Sequence, residues 1–377
     1  MKKFLLPIIA LFAALTACGP DNVLTKSGLD DTDFISNDST CLYTLRNSNG
    51  MEVCITNFGA RIVSIMVPDR AGSFCDVVLG FDNIKDYQEV PSDFGATIGR
   101  YANRIAYGQF MLMGETYQLP KNNGEHCLHG GPQGWQYKVF KATKVSETAL
   151  TLELNSPDGD MNFPGNVTAS VTFTLTADNK IIMDYAATTD RMTVINMTNH
   201  SYFNLNGDAS TSATNHVLKI SADYFTPADS TLIPYGELVA VDGTPFDFRN
   251  PRIVQSAIDD TDYDNQLKFG NGIDHNFVLN TEGDVNKPCA EIFSPTTGIQ
   301  LTVYTDQPGL QIYSGNFLDG TVKGKNGVIY NQRAAICLET QHYPDSPNKP
   351  QWPTTVLNPG EKFASRTVFA FGIHPDD

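Results

Sequence analysis

The sequence predicts an all-β fold of the sandwich type, on three observations. Short apolar runs alternate with polar residues at period two, the spacing of strands that bury one face. Clusters of Gly, Pro and Asn separate these runs. No long run has the 3.6-residue period of an amphipathic helix, and no repeat of fixed period is visible. Many short strands with few helices pack as layers of sheet.

The chain of 377 residues opens on Met1-Lys2-Lys3, followed by an apolar run over 4–17 and then Cys18. A basic start before a short apolar run marks a secretory signal, and the run is shorter than the roughly 20 residues a spanning helix needs. Leu15-Thr16-Ala17-Cys18 is similar to the lipobox of bacterial lipoproteins. That similarity implies cleavage before Cys18, a lipid on its sulfur, and export to a bacterial membrane facing the periplasm or cell envelope. A plain secretory signal cut near Ala17 is the simpler alternative. The expected organisation is a signal over 1–17, lipidated Cys18 and a polar tether over 18–40, and one β-sandwich domain over 41–377.

The formal charge is −16, and loss of Lys2 and Lys3 with the signal makes it more negative. An acidic surface repels nucleic acid and anionic headgroups. It leaves small neutral ligands as the expected partners of a monomer, with membrane contact only through the lipid. Cys41, Cys54, Cys75, Cys127, Cys289 and Cys337 are scattered without a C-x-x-C pair or zinc spacing. Cys54 and Cys337 fall inside apparent strands, so mostly free, buried thiols are expected.

Asn49-Gly50 is a hairpin signal between alternating runs over 43–45 and 51–55. The run over 62–67 is almost continuously apolar, as in a strand buried on both faces. Leu150, Leu152 and Leu154 alternate with polar residues, and residues 167–175 form the cleanest alternation in the chain. Residues 299–303 follow a Pro-Thr-Thr-Gly turn. Only 84–88 and 251–258 suggest short helical turns. Long loops at 120–136, 204–216 and 227–250 are candidates for building a site on a rigid scaffold.

Residues 194–205 read V-I-N-M-T-N-H-S-Y-F-N-L. Alternation places Asn196, His200, Tyr202 and Asn204 in one row, which suits a ligand rich in hydroxyls, and His200 exchanges protons near neutral pH. A core histidine bonded to a neighbouring strand is the ordinary reading. In G-R-Y-A-N-R-I at 99–105, Arg100 and Arg104 offer donor forks for sugar hydroxyls, against the ordinary fate of surface charge. Leu128-His129-Gly130-Gly131 sets an imidazole beside residues that let backbone approach closely. Asp274 stands at the entry to an apolar strand, and Gln307 sits in an Asp-Gln-Pro-Gly turn from which it could reach inward. Glu339 lies on a strand behind apolar residues, a placement that desolvates it and raises its pKa. Asp260-x-Asp262-x-Asp264 starts like a calcium loop, but Asn265 and Asn271 replace the required Gly and Glu. A P-loop, H-E-x-x-H and G-x-S-x-G are absent from the sequence.

Taken in order, G-R-Y-A-N-R-I, L-H-G-G, T-N-H-S-Y-F-N-L, D-H-N-F, Q-P-G, Y-S-G-N-F and C-L-E-T-Q resemble the aldose 1-epimerase (galactose mutarotase) family. The resemblance extends from about Cys41 to the end. It implies a β-sandwich of the galactose-mutarotase type (a supersandwich) and interconversion of the α and β anomers of free hexoses such as galactose and glucose. It also implies Glu339 as general base, His200 as general acid, and Asn103, Arg104, His129, Tyr202, Asp274 and Gln307 as sugar contacts. The chemistry requires no cofactor, and a bound calcium ion is compatible by resemblance only. Two alternatives stay open: a glycoside hydrolase pairing Asp274 with Glu339, for which two flanking carboxylates are the usual requirement, and a sugar-binding lipoprotein without catalysis.

Overall fold

The computed structural model describes residues 24–37, 39–260 and 265–375. The signal, Cys18 and the middle of the acidic loop (261–264) lie outside the described residues. Strands dominate, and the longest helix among the described residues, Ile84–Glu89, has 6 residues.

Three antiparallel sheets share one core. The largest has nine strands, in the order Lys141–Val145, Ala149–Ser156, Val167–Leu175, Lys180–Thr189, Phe363–Ile373, Ile299–Thr305, Ala290–Phe293, Val217–Ile220 and Arg252–Ile253. A six-stranded sheet runs Tyr202–Phe203, Ile336–Gln341, Gly309–Tyr313, Asp274–Leu279, Ala222–Thr226 and Val239–Ala240. A four-stranded meander, Leu42–Arg46, Glu52–Thr56, Arg61–Pro68 and Phe74–Asp76, closes one side. Asn49-Gly50 turns the first hairpin as expected, and the apolar run at 62–67 is buried throughout.

The alternation legible in the sequence does the packing. Val171 and Phe173 of the large sheet, Ile65 of the meander, and Leu310, Ile312, Ile336 and Leu338 of the six-stranded sheet join one apolar cluster. Burying such side chains is worth roughly 1.5–3 kcal/mol each. The hydroxyls of Thr340 and Thr367 bond across it, so the polar residue on the core face of Ile336–Gln341 is satisfied by the opposite sheet. The other face of the six-stranded sheet is left for Tyr202, Cys337, Glu339, Gln341, Gln311, Tyr313, Asp274 and Asn276. The registers place Glu339 beside Gln311, Gln311 beside Asn276, and Asp274 beside Tyr313.

One expectation changes. Residues 25–37 are not a free tether. Leu29 and Phe34 are buried against Tyr87 and its neighbours, and the Lys26 amide donates to Glu52 Oε1 at 2.6 Å. Two apolar anchors within a polar stretch suffice to dock it. Of the cysteines, Cys54, Cys127, Cys289 and Cys337 are free and buried and Cys75 is free and partly exposed, as the sequence suggested.

Candidate active site

Seven of the eight candidate residues line one cavity of about 710 Å³: Asn103, Arg104, His129, His200, Tyr202, Asp274 and Glu339. It opens over the face of the six-stranded sheet turned away from the apolar core. Loops 120–136 and 227–250 wall it with Asn123, Glu125, His126, Thr231 and Leu232 among others, whereas loop 204–216 contributes nothing to the lining.

Glu339 projects from an interior strand paired on both sides, and only 2 % of it is exposed. Desolvation pushes its carboxyl up to about 7, opposed by His200 and reinforced by Asp274. His200 Nε2 lies 3.4 Å from Glu339 Oε1. Glu339 Oε2 and His200 Nδ1 are buried and make no hydrogen bond. Leaving such atoms unpaired costs about 1–3 kcal/mol each, which is tolerable where a ligand completes them. The His200 ring stacks on Tyr202, with centroids 5.0 Å apart and planes at 27°, and meets His129 edge-on at 5.0 Å.

His129 is fixed by a reciprocal lock. Its amide donates to Asn103 O and the Asn103 amide donates to its Nδ1, both at 3.1 Å. Both residues have left-handed backbone, φ 52° and 63°, the kind of strain that collects at binding sites. With Nδ1 accepting, the ring proton sits on Nε2. Burial lowers the imidazole to about 3, so His129 is a neutral donor at any working pH. Gly130 follows with φ 79°, and a Cβ there would stand 2.2 Å from Gly99 O. The close approach that this glycine allows is to the chain's own backbone, not to a ligand.

Arg104 is buried. Its Nε donates to Asn123 Oδ1 at 3.0 Å and one terminal nitrogen lies 3.9 Å from Asp274 Oδ2. The other Asp274 oxygen accepts from Gln311 Nε2 at 2.7 Å. Burial raises the Asp274 carboxyl, while Arg104 and Gln311 hold it down.

Four residues do not serve as expected. Gln307 is outside this cavity; its Oε1 meets His342 Nδ1 at 2.9 Å and its Nε2 donates to Asp306 at 3.2 Å. It sits in the bend before the strand Gly309–Tyr313 that carries Gln311. Gln311, absent from the expected set, is the glutamine that reaches the site, through Asp274. Arg100 turns away and gives its guanidinium to Ser156, Pro157, Pro164 and Thr193, so it holds loops rather than sugar. In the polar row, Asn196 and Asn204 spend their amides on backbone carbonyls of 102, 342, 208, 211 and 334. Regular pairing breaks at Ser201, between the strands Thr198–His200 and Tyr202–Phe203. Only His200 and Tyr202 of that row enter the cavity. Asp93 lines the cavity too and carries no sequence signal beyond being an acidic residue in a turn.

A buried carboxylate poised near neutrality against an imidazole, ringed by neutral and cationic donors on a β-sandwich, defines an acid–base enzyme for polyhydroxylated ligands. The chain belongs to the aldose 1-epimerase family, whose model, described as aldose 1-epimerase, matches residues 41–370. It is 42% identical over 326 residues to the galactose mutarotase of Sus scrofa, covering 86% of this chain and 92% of that protein. It is 41% identical over 332 residues to the aldose 1-epimerase of Escherichia coli K12, covering 88% and 94%. A galactose 1-epimerase structure from Lactobacillus acidophilus superposes with TM-score 0.79 at 30% identity, covering 90% of this chain and 97% of that one. An aldose epimerase homologue from C. elegans reaches TM-score 0.83 at 29% identity, covering 89% and 100%.

Proposed function

We propose that the protein is an aldose 1-epimerase that interconverts the α and β anomers of free hexoses, galactose and glucose among them. The observation that carries this is the 3.4 Å approach of His200 Nε2 to Glu339 Oε1 inside a cavity with sugar-sized room and hydrogen-bonding walls. Glu339 takes the proton from the anomeric hydroxyl while His200 gives one to the ring oxygen. The bond from the anomeric carbon to the ring oxygen breaks and an aldehyde forms. Rotation about the adjacent carbon–carbon bond turns the aldehyde, and the reverse proton transfers close the other anomer. His129 donates from Nε2, and Arg104 with Asp274 supplies a fixed donor–acceptor pair for hydroxyls. The reaction needs no cofactor. Polarimetry of freshly dissolved α-galactose and α-glucose tests the reading directly; an unaccelerated approach to equilibrium for every aldose tried would overturn it.

The hydrolase alternative needs a second free carboxylate, and Asp274 is already engaged by Arg104 and Gln311. Calcium takes six to eight oxygen ligands. The close-set ligating group among the described residues in this cavity is Asp93, His129 and His200, which supplies two nitrogens. That donor set does not fit calcium, and no step runs through it.

The pH profile follows from the base. Glu339 must be ionised to accept a proton, and its carboxyl stands at about 7 rather than 4.5. The rate at low substrate is therefore expected to fall about tenfold per pH unit below neutrality. A profile flat from pH 5 to 8 contradicts the assignment. Replacing Arg104 by Ala removes charged hydrogen bonds worth about 1.5–3 kcal/mol but no proton transfer. KM is expected to rise roughly 10- to 100-fold, with a smaller change in kcat, in progress curves at varied sugar.

The location proposed from the lipobox resemblance is a lipid anchor on Cys18 at a bacterial membrane. Cys18→Ser is expected to abolish acylation and leave unprocessed or released protein. Mass spectrometry of the mature N-terminus reads this; a wild-type N-terminus without acyl chains overturns it.

A further inference from the structure

Asp93 stands on the cavity wall, in the irregular segment between the helix Ile84–Glu89 and the strand Ala96–Ile98. Its backbone is tied down on both sides. Buried Arg61 donates from its terminal nitrogens to the carbonyls of Ser92 and Phe94, at 3.0 Å each. The Ala96 amide donates to Asp93 O at 3.0 Å. The side chain is the part left over: Oδ1 is buried without a hydrogen bond. An ionised carboxylate only accepts, so the missing partner is a donor, and a buried acceptor is costly until one arrives. The cavity offers the complement. A ring nitrogen of His129 and a carboxylate oxygen of Asp93 lie within 4.8 Å of each other. His129 accepts the Asn103 amide at Nδ1 and so carries its proton on Nε2, which makes it a donor. At that limiting separation, an oxygen about 2.8 Å from both, an ordinary hydrogen-bond length, subtends roughly 120°. That angle suits the donor and acceptor directions of a hydroxyl, which satisfies both neighbours at once. An ether oxygen, a fluorine or a hydrogen does not.

We infer that Asp93 is a substrate-binding residue that, together with His129, reads one non-anomeric hydroxyl of the sugar. His129 Nε2 donates to the hydroxyl oxygen and the hydroxyl donates to Asp93. The anomeric oxygen is engaged by Glu339, so the hydroxyl is one of those at carbons 2, 3, 4 and 6. This is a second donor–acceptor pair in the site, in addition to Arg104 and Asp274. The role rests on the epimerase reading.

The test is polarimetric kinetics of wild type, Asp93→Ala and Asp93→Asn on galactose and on its 2-, 3-, 4- and 6-deoxy derivatives. Circular dichroism checks that each variant is folded, and Asp93→Asn carries the comparison if Asp93→Ala does not fold. Asp93→Ala is expected to lose about 10- to 100-fold in kcat/KM on galactose, chiefly through KM, the usual loss for a hydrogen bond to a charged group. Asp93→Asn keeps an acceptor oxygen and is expected to recover part of that loss. For one derivative, wild type is expected to lose a similar factor relative to galactose, and Asp93→Ala to lose nothing further. The remaining derivatives are expected to be discriminated alike by wild type and variant. An Asp93→Ala loss of the same size on every sugar, or no loss at all in the folded variant, overturns the role of Asp93 and leaves the epimerase reading intact. A wild type that accelerates no aldose overturns both.

Discussion

Replacing Glu339 by Gln is expected to lower the mutarotation rate about 10²–10⁴-fold, roughly 3–5 kcal/mol in barrier, with the fold intact. The amide keeps the carboxyl's shape on an interior strand whose backbone is paired on both sides, so structure is not what is lost. A second readout separates base from scaffold. The folded carboxyl at about 7 lies above the ordinary 4.5, so the native state holds this proton more tightly than the unfolded chain does. The corresponding stability is complete below pH 4.5 and lost as pH rises through 7. Glu339→Gln does not ionise, so it is expected to be more stable than wild type at pH 8, by on the order of 1–3 kcal/mol. At pH 4 the two should match. Denaturant melts at the two pH values read the difference. Full polarimetric activity in the folded variant returns Glu339 to a structural role.

The second large effect is at His200. Asn in its place keeps a polar group within the Tyr202 and His129 contacts but cannot give a proton to the ring oxygen. A loss of about 10²–10⁴ is again expected. Because Nε2 of His200 and Oε1 of Glu339 lie 3.4 Å apart and in the proposed reaction act on neighbouring oxygens of one sugar, the double variant should lose much less than the product of the single losses. Strictly multiplicative losses indicate two independent steps and contradict the concerted reading. Titration of sugar into both single variants should show affinity within several-fold of wild type, which separates catalysis from binding.

The layered sheets and the inward placement of Glu339 and His200 were legible in the sequence because period-two alternation is local, whereas their roles as base and acid rest on the resemblance to the family. Val167–Leu175 alternates buried and partly exposed positions along almost its whole length, and Glu339 follows apolar residues on a strand that is buried throughout. Gln311 was not legible. It lies in Gly309–Tyr313, a short strand buried on both faces, where a lone glutamine among apolar residues announces no function. The turn glutamine four residues earlier drew the assignment instead. Asn196, Asn204 and Arg100 look like ligand contacts in one dimension, but their partners are backbone carbonyls and, for Arg100, also the hydroxyls of Ser156 and Thr193, and only the fold reveals which of these need donors. The docking of residues 25–37 was hidden for a similar reason: Leu29 and Phe34 find their pocket in residues around 54–87.

Consider finally how the site divides between strand and loop. Glu339, Asp274 and Gln311 stand side by side on three neighbouring strands whose opposite faces are core, while loops 120–136 and 227–250 supply much of the rim. The two parts answer to different physical constraints. Any drift in the strands that moves the carboxylate also disturbs the packing beneath it, so the chemistry is inherited along with foldability. Drift in the loops alters only which hydroxyls are greeted at the entrance. Such a scaffold can change its preferred sugar over many generations without ever passing through an inactive ancestor.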